Sequence, residues 1–475
     1  MARFTTLNEW LSWLEKLHPK AIDLGLQRVY TVASTLDLLK PPSLISHEFS
    51  GAFNSKDTAT NPTVITVAGT NGKGSCVSVI EQAIAKDSTQ KAVDHNVANN
   101  VVGSYTSPHL HHFCERIRID KQCVNEALVC DAFAAIDKAR RDISLTYFEF
   151  GTLAALWIFA QKNIPIIVLE VGLGGRLDAV NIVDADIAVV TSIDVDHEEW
   201  LGSDRNIISQ EKLGVARAGR PLIIAETNLT PALKLAAKDA NSLLIKRDFF
   251  INQRSVNVKV EKLNAEKSVE KNLDHNLQDS ASIQASQWQF KYRELVKNLP
   301  LPSLPLPSVA AALVVLDLLK IMPVKENLTV LMKNIGLPGR FQKTIVDNKC
   351  VIYDVAHNPA AATQLARRLA QEFTDFNGKT LAVMAVMSDK DHEAMLAPLY
   401  SVIDHWYLGD LSNIPRAARA RDLASLFNRD QCSYDIESTI ENAFHKASSV
   451  ACEHDRIVVF GSFYTVAAIQ SLVNH

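Results

Sequence analysis

No two of the seven cysteines stand in a Cys-x-x-Cys pair, and their number is odd. A zinc site or a disulfide framework is therefore not expected, and reduced thiols are. An excess of positive charge is missing too. Lys+Arg is 49 against Asp+Glu 53, a net charge of -4, so the footprint of a nucleic-acid binder is absent. A small anionic substrate remains compatible if local cations receive it. The longest apolar stretches, near Ile164–Leu169 and Val309–Leu316, fall far short of a membrane span. Near the N-terminus Trp10, Leu11, Leu14 and Leu17 share a helical face. Glu9, Glu15 and Lys16 interrupt it, which rules out a signal-peptide core. No short-period repeat is evident. The expectation is a cytoplasmic protein with no nucleic-acid or membrane partner.

The sequence does contain a regular alternation of elements. Its 475 residues, 47% apolar and 21% charged, are too many for one ordinary core and suggest two or three domains. Val64–Ala68, Val101–Tyr105, Pro165–Leu169 and Ile187–Val190 read as buried parallel strands, β-branched and almost continuously apolar. Helical patterns such as Cys76–Ala85 and Gly151–Gln161 separate them, which predicts an α/β fold with a doubly wound, mostly parallel sheet. Val351–Tyr353, Leu381–Val386 and Ile457–Phe460 repeat the theme with a helix over Ala360–Phe373, predicting a smaller Rossmann-like α/β domain. Leu337-Pro338-Gly339 is the expected hinge, dividing the chain into 1–336 and 337–475. Ser46–Pro62, Asp87–Asn100 and Asn264–Ser286 read as polar loops, and Leu299–Pro307 as an extended, proline-rich spacer.

The chemistry gathers at strand ends. The first strand runs into Gly69-Thr70-Asn71-Gly72-Lys73-Gly74-Ser75, the second into Thr106-Ser107-Pro108-His109. The third ends in Glu170-Val171-Gly172-Leu173-Gly174-Gly175-Arg176, the fourth in Asp194-Val195-Asp196-His197. Open α/β sheets bind ligands beyond the carboxyl ends of their strands, so these four ends are expected to converge. Gly69–Ser75 has the character of a phosphate-binding loop. Glycines let backbone N–H groups approach phosphate oxygens, the helix start favours an anion, and Lys73 neutralises charge. Gly74 separates Lys73 from Ser75, so the loop is not a strict Walker A sequence; the plain alternative is a glycine-rich turn. Ser107, Glu170 and His197 offer ligands to an ATP-bound Mg²⁺, although singly they read as a turn residue and polar strand-end residues. Arg340 could clamp a phosphate or simply solvate a surface. Asp354 and His357 could meet ATP or belong to a capped turn at Asn358-Pro359.

Taken together, these runs resemble the Mur-ligase superfamily and, within it, the folylpolyglutamate synthase family. Asp23-Leu24-Gly25-Leu26, Thr146-Tyr147-Phe148-Glu149, Leu169–Asn181, Glu211-Lys212, Leu337–Phe341, Asp354–Pro359 and Gly461-Ser462-Phe463 complete a likeness spanning nearly the whole chain. The resemblance implies an ATP-dependent ligase that adds L-glutamate to dihydropteroate and to reduced folates through an acyl phosphate. It implies that Thr70, Asn71, Gly72, Lys73, Gly74 and Ser75 hold ATP phosphates. Ser107, Glu170 and His197 would bind two Mg²⁺ ions, with catalytic roles for Lys73, Lys212 and His197. Asp23, Leu24, Gly25, Leu26, Thr146, Tyr147, Phe148, Glu149, Leu177, Asp178 and Ala179 would shape the dihydropteroate pocket. Lys212 matches a lysine the family carries as a carbamate, while Ser308, Arg340, Asp354 and His357 fall at ATP-contacting positions. Residues 1–336 would be the ATP- and pteroate-binding domain and 337–475 the glutamate-ligase domain of a monomer. One departure stands out: Leu306 and Ser308 replace the family's Gln and Asn. Ser308 can cap the following helix but cannot offer an amide donor and acceptor together.

Other readings of the same loop are a P-loop kinase or NTPase, a nucleotide-binding relative without catalysis, and a muramyl-peptide ligase. No Asn-Lys-x-Asp base-reading motif accompanies Gly69–Ser75, which disfavours a GTPase. A kinase would also leave a second α/β domain without a purpose, whereas a two-domain cleft can close and shield an acyl phosphate from water.

Overall fold

The computed structural model describes residues 2–39, 62–85, 101–238, 241–249, 255–261, 287–292, 295–371, 376–427 and 432–473. The three expected polar loops lie outside the described residues, apart from Pro62. The chain divides into two compact units that meet in sequence between Ile335 and Gly336.

The first unit is built on one sheet: β1 (Thr63–Ala68), β2 (Val102–Tyr105), β3 (Ile117–Ile119), β4 (Gln122–Cys123), β5 (Ile166–Glu170), β6 (Ile187–Val190), β7 (Leu222–Ile224), β8 (Ser242–Phe249), β9 (Ser255–Glu261), β10 (Gln287–Tyr292) and β11 (Leu295–Pro300). The 11-stranded order is β11-β10-β9-β8-β7-β6-β1-β5-β2-β3-β4. β1 pairs in parallel with β5 and β6, and β5 in parallel with β2. The carboxyl ends of these four strands therefore share one edge. Ile65, Val67, Val168, Ile187 and Val189 are fully buried, each stabilising the unit by roughly 1.5–3 kcal/mol. This is why near-continuous apolar runs marked these strands. Helices Tyr147–Gln161 and Leu306–Leu318 are apolar around most of their circumference and are buried on nearly every side.

β7–β11 extend the sheet beyond the expected strands. In β10, Trp288, Phe290 and Tyr292 are buried at alternate positions, the period of a half-buried strand. The proline-rich stretch is not an extended spacer. Leu299 and Pro300 finish β11, Pro305 precedes the Leu306–Leu318 helix, and Pro307 sits in its first turn. Proline is favoured there because the first-turn N–H groups have no helical acceptor.

The second unit carries β12 (Gln342–Val346), β13 (Lys349–Asp354), β14 (Thr380–Met384), β15 (His405–Gly409), β16 (Tyr434–Glu437) and β17 (Arg456–Phe460), ordered β12-β13-β17-β14-β15-β16. Only β12 pairs antiparallel; the rest are parallel. The architecture is α/β, a doubly wound and mostly parallel sheet followed by a smaller α/β unit.

Candidate active site

β1 delivers the glycine loop. Gly69 and Gly72 have φ of 145° and 84°, values that L side chains rarely adopt. Gly72 is the left-handed residue that opens the Lys73–Ile84 helix. Lys73 and Gly74 are therefore in the first helical turn with Ser75 buried behind them, and the loop backbone meets a helix N-terminus. Lys73 Nζ donates to the carbonyls of Gly69 and Thr70 at 3.0 and 3.1 Å, closing the loop on itself. The Thr70 hydroxyl is turned to the loop after β6: it donates to the Asp194 carbonyl at 3.0 Å and accepts from the Asp194 N–H at 2.9 Å. The Asn71 N–H donates to Ser192 Oγ at 2.9 Å, and the Thr191 and Ser192 hydroxyls donate to the Asn71 carbonyl. Thr191 and Ser192 thus fasten the loop, a role only their strand-end position hinted at.

Ser308 lies against this loop, its Oγ occupying the space a Cβ on Gly72 would need. It does not cap its helix. Pro305 is the residue before the first turn, no side chain caps it, and Ser308 is already inside the turn, where its hydroxyl cannot reach the free N–H groups in a cap's geometry.

Beside the loop, Glu170 closes β5 and is buried; its Oε2 accepts from the Ser107 N–H at 3.3 Å. His197 has φ of 54° and precedes a short helix, its N–H donating to Asp196 Oδ1 at 2.8 Å. Glu170 and Ser107 come from the ends of the adjacent strands β5 and β2, and His197 follows β6, on the far side of β1. Among the described residues no group of three or more His, Cys, Asp or Glu forms a ready-made metal cluster. A serine, a buried carboxylate and an imidazole fit an ion that brings other oxygens with it, as an ATP-bound Mg²⁺ does.

Lys212, at the end of the Arg205–Leu213 helix, is buried. Desolvation and the nearby Lys73 charge push its amine down to about 7, with Asp196 and Asp178 pulling the other way. A neutral amine is therefore accessible near neutral pH. Asp178 is buried in turn and pushed up to about 6 by desolvation, opposed by N–H donors including Leu173 and Val180 and by Lys73.

Arg28 joins two of the runs assigned to the acceptor. Its Nη1 lies 2.6 Å from Asp23 Oδ2, and its Nη2 donates to the Asp23 carbonyl at 2.7 Å and to Glu149 Oε1 at 3.0 Å. Glu149 and Thr146 also form a reciprocal capping box at the start of the Tyr147–Gln161 helix. The Phe148 ring packs on Gly172, 2.6 Å from where a Cβ would stand. Leu24, Gly25, Leu26, Tyr147 and Leu177 are half-buried and Ala179 buried. Arg28 was not among the expected site residues, since one arginine in a helix start carries no local signal.

Residues 339–463 match the Mur ligase, glutamate ligase domain family. Over 98% of its length the chain is 38% identical to the dihydrofolate synthase/folylpolyglutamate synthase of Escherichia coli strain K12, covering 96% of that protein. The chain belongs to the dihydrofolate synthase/folylpolyglutamate synthase family. Its fold matches the Escherichia coli FolC structure in complex with DHPP and ADP with a TM-score of 0.77 at 36% identity, covering 99% of this chain and 98% of that one. It also matches a bifunctional folylpolyglutamate synthase/dihydrofolate synthase with Mn, AMPPNP and L-glutamate bound, with a TM-score of 0.76 at 35% identity over 100% of both chains.

In the second unit of this family member, Asp354 ends β13 and accepts from the N–H groups of Phe341 and Ala356, both at 2.9 Å. Desolvation raises its carboxyl above the usual range against the opposing charges of Arg340 and Arg368. Arg340 lies over the Phe463 ring, 5.3 Å from its centroid, and His357 lies 6.1 Å from the same ring. Asn358 Oδ1 accepts from the Ala361 N–H at 2.9 Å, so the capped turn exists and presents His357 beside it. Phe463 was expected only within the Gly461-Ser462-Phe463 run; its ring lies against both Arg340 and His357.

Proposed function

We propose that the protein is an ATP-dependent ligase that joins L-glutamate to dihydropteroate, giving dihydrofolate, and to reduced folates, giving folylpolyglutamate. The observation that carries this is the meeting of the Gly69–Ser75 loop, Lys212, Asp178 and Asp196 at the ends of parallel strands. The Arg28-bridged Asp23 and Glu149 runs lie on the same unit. Identity with the Escherichia coli relative over nearly the full chain supports it.

A carboxylate resists amine attack because its leaving group would be oxide. Transfer of the γ-phosphoryl group of ATP gives an acyl phosphate; the glutamate amine then attacks the acyl carbon, and phosphate leaves. The chain must hold the nucleotide and align the carboxylate. The Gly72 and Lys73 region would cradle phosphates, with Ser308 beside Gly72. Arg340, Asp354 and His357 are the nucleotide contacts proposed from the second unit. Ser107, Glu170 and His197 would hold two Mg²⁺ ions, which supply charge neutralisation on the phosphates. Lys212 would act as a carbamate, turning a buried cation into an anion with two oxygens suited to a hard metal. Asp23–Leu26, Thr146–Glu149 and Leu177–Ala179 would bind the pteroate. We assign it to the cytoplasm as a monomer; no helix among the described residues is long and apolar enough to cross a membrane.

The test is ATP-dependent phosphate release with dihydropteroate or tetrahydrofolate as acceptor. Release should require both acceptor and L-glutamate, and UDP-muramoyl acceptors should be inert. Release without any acceptor would favour a plain NTPase instead.

A further inference from the structure

Among the described residues the proposed reaction leaves three buried arginines unused, Arg116, Arg140 and Arg456, and of these Arg116 stands beside the Ser107 strand end. Arg116 is 9% exposed and stays charged at any working pH. Its Nε–H donates to His109 Nδ1 at 2.8 Å. Its guanidinium lies 5.6 Å from the Phe113 ring centroid and 5.3 Å from that of Tyr147. Among the described residues no carboxylate comes within ion-pair distance of it, and the polar side chains beside its guanidinium are His109 and the Tyr105 hydroxyl.

The acids around it are engaged elsewhere. Glu115 accepts from the N–H groups of Leu110, His111 and His112, and Asp178 from those of Leu173 and Val180. The buried Tyr105 hydroxyl stands beside Arg116 and Thr152 without reaching full hydrogen-bond geometry with either. Aromatic faces return only part of the hydration a guanidinium loses. A buried cation without a counter-charge is costly; it is explained if an anion completes it in the working state.

Its position limits that anion. The Arg116 carbonyl accepts from the Thr106 N–H at 2.9 Å, one residue before Ser107. Its side chain reaches Tyr147, the first residue of the helix that opens with Thr146 and Glu149. Arg116 therefore stands between a strand end assigned to the phosphate chemistry and a helix start assigned to the acceptor, where a reacting carboxylate has to pass.

We propose that Arg116, oriented by His109 and flanked by the Tyr105 hydroxyl, is a carboxylate-receiving subsite of the ligase. The fork of Nη1 and Nη2, which faces no carboxylate among the described residues, matches one in bidentate geometry. The occupant is a carboxylate either of the folate-type acceptor or of the incoming amino acid. The inference rests on the ligase reading above and adds a substrate-binding residue to it.

Steady-state kinetics with dihydropteroate, tetrahydrofolate and L-glutamate, together with melting curves of the apo protein, test it. Arg116→Met should leave the apo melting temperature unchanged or raised, because no acid among the described residues loses a partner. It should raise one KM at least tenfold: that of the acceptor if the acceptor's carboxylate is held, that of glutamate if the amino acid's is. Arg116→Lys should fall between, keeping the charge and losing the fork. His109→Leu should raise the same KM more weakly, and His109→Asn, which restores an acceptor near Nδ1, should recover it. An Arg116→Met protein that melts lower with both KM values intact, or that loses only kcat, would overturn the subsite. So would His109 variants with unchanged KM values if Arg116→Met fails to fold. A wild-type protein without glutamate ligation would instead refute the ligase reading itself.

Discussion

Gly175 packs so tightly on Lys212 that a Cβ there would stand 3.1 Å from the Lys212 Cα and 2.8 Å from the Glu211 carbonyl oxygen. Both are backbone contacts that cannot swing aside. Asn181 fastens the same junction, its Nδ2 donating to the Arg176 and Gly214 carbonyls at 3.0 and 3.1 Å. Gly175→Ala should therefore displace the helix that carries Lys212. The expected result is a stability loss of about 1–3 kcal/mol with turnover reduced at least tenfold. A variant with wild-type turnover would show that the placement of Lys212 is irrelevant.

Burial sets the pH behaviour of Lys212. Its folded value, about 7, lies below the 10.5 of an ordinary lysine. Between those values the unfolded chain binds more protons than the folded one, so this group's contribution to stability rises with pH through that window. Below pH 7 the full cost of a buried ammonium is present. In CO₂-depleted buffer the melting temperature of Lys212→Met should depend less on pH between 7 and 9 than that of the wild type. Parallel pH profiles would contradict the assignment.

The carbamate has its own test. Lys212→Ala should lose turnover sharply, and acetate should restore part of it by replacing the missing anion. Full wild-type activity in CO₂-depleted buffer would sink the modification.

Lys73→Ala should remove ATP-dependent ligation, by a hundredfold or more if the lysine meets transition-state charge as other phosphate clamps do. It gives up two hydrogen bonds within its own loop, worth about 1–3 kcal/mol together. The melting curve should fall by a few degrees with its cooperativity intact. Near-normal turnover would refute the phosphate-loop role.

The Arg28 bridge between Asp23 and Glu149 makes a separate forecast. Arg28→Ala should loosen the 23–26 run and raise the KM for dihydropteroate, while Glu149 keeps its capping bonds to Thr146. Leu26→Ala, at the same run, should harm dihydropteroate use more than folate extension. Equal effects of Leu26→Ala on both acceptors would argue against a pteroate contact there.

Local chemistry made much of this protein readable from its sequence. β1, β2, β5 and β6 were expected within a residue or two at each end because buried strands need β-branched, apolar runs. The Asn358 cap is likewise an interaction across three residues; the Thr146–Glu149 box is equally local, yet the run was expected only as part of the acceptor pocket. The alternation of β10 is equally local, but no expectation covered those residues.

Other features belong to the tertiary structure alone. Arg28 and Glu149 are separated by 121 residues, and no local pattern can announce their meeting. The Thr70 hydroxyl turns to Asp194 because β1 and β6 are neighbours in the sheet. Neither residue's type requires it. Lys212 is an ordinary helix lysine until the packing of Gly175 and the exclusion of water lower its amine. Arg116 is an ordinary charged residue until the fold buries it with no carboxylate of the described residues at ion-pair distance. Sequence periodicity records which faces avoid water, whereas pairing across the sheet and the cost of desolvation exist only once distant segments have come together.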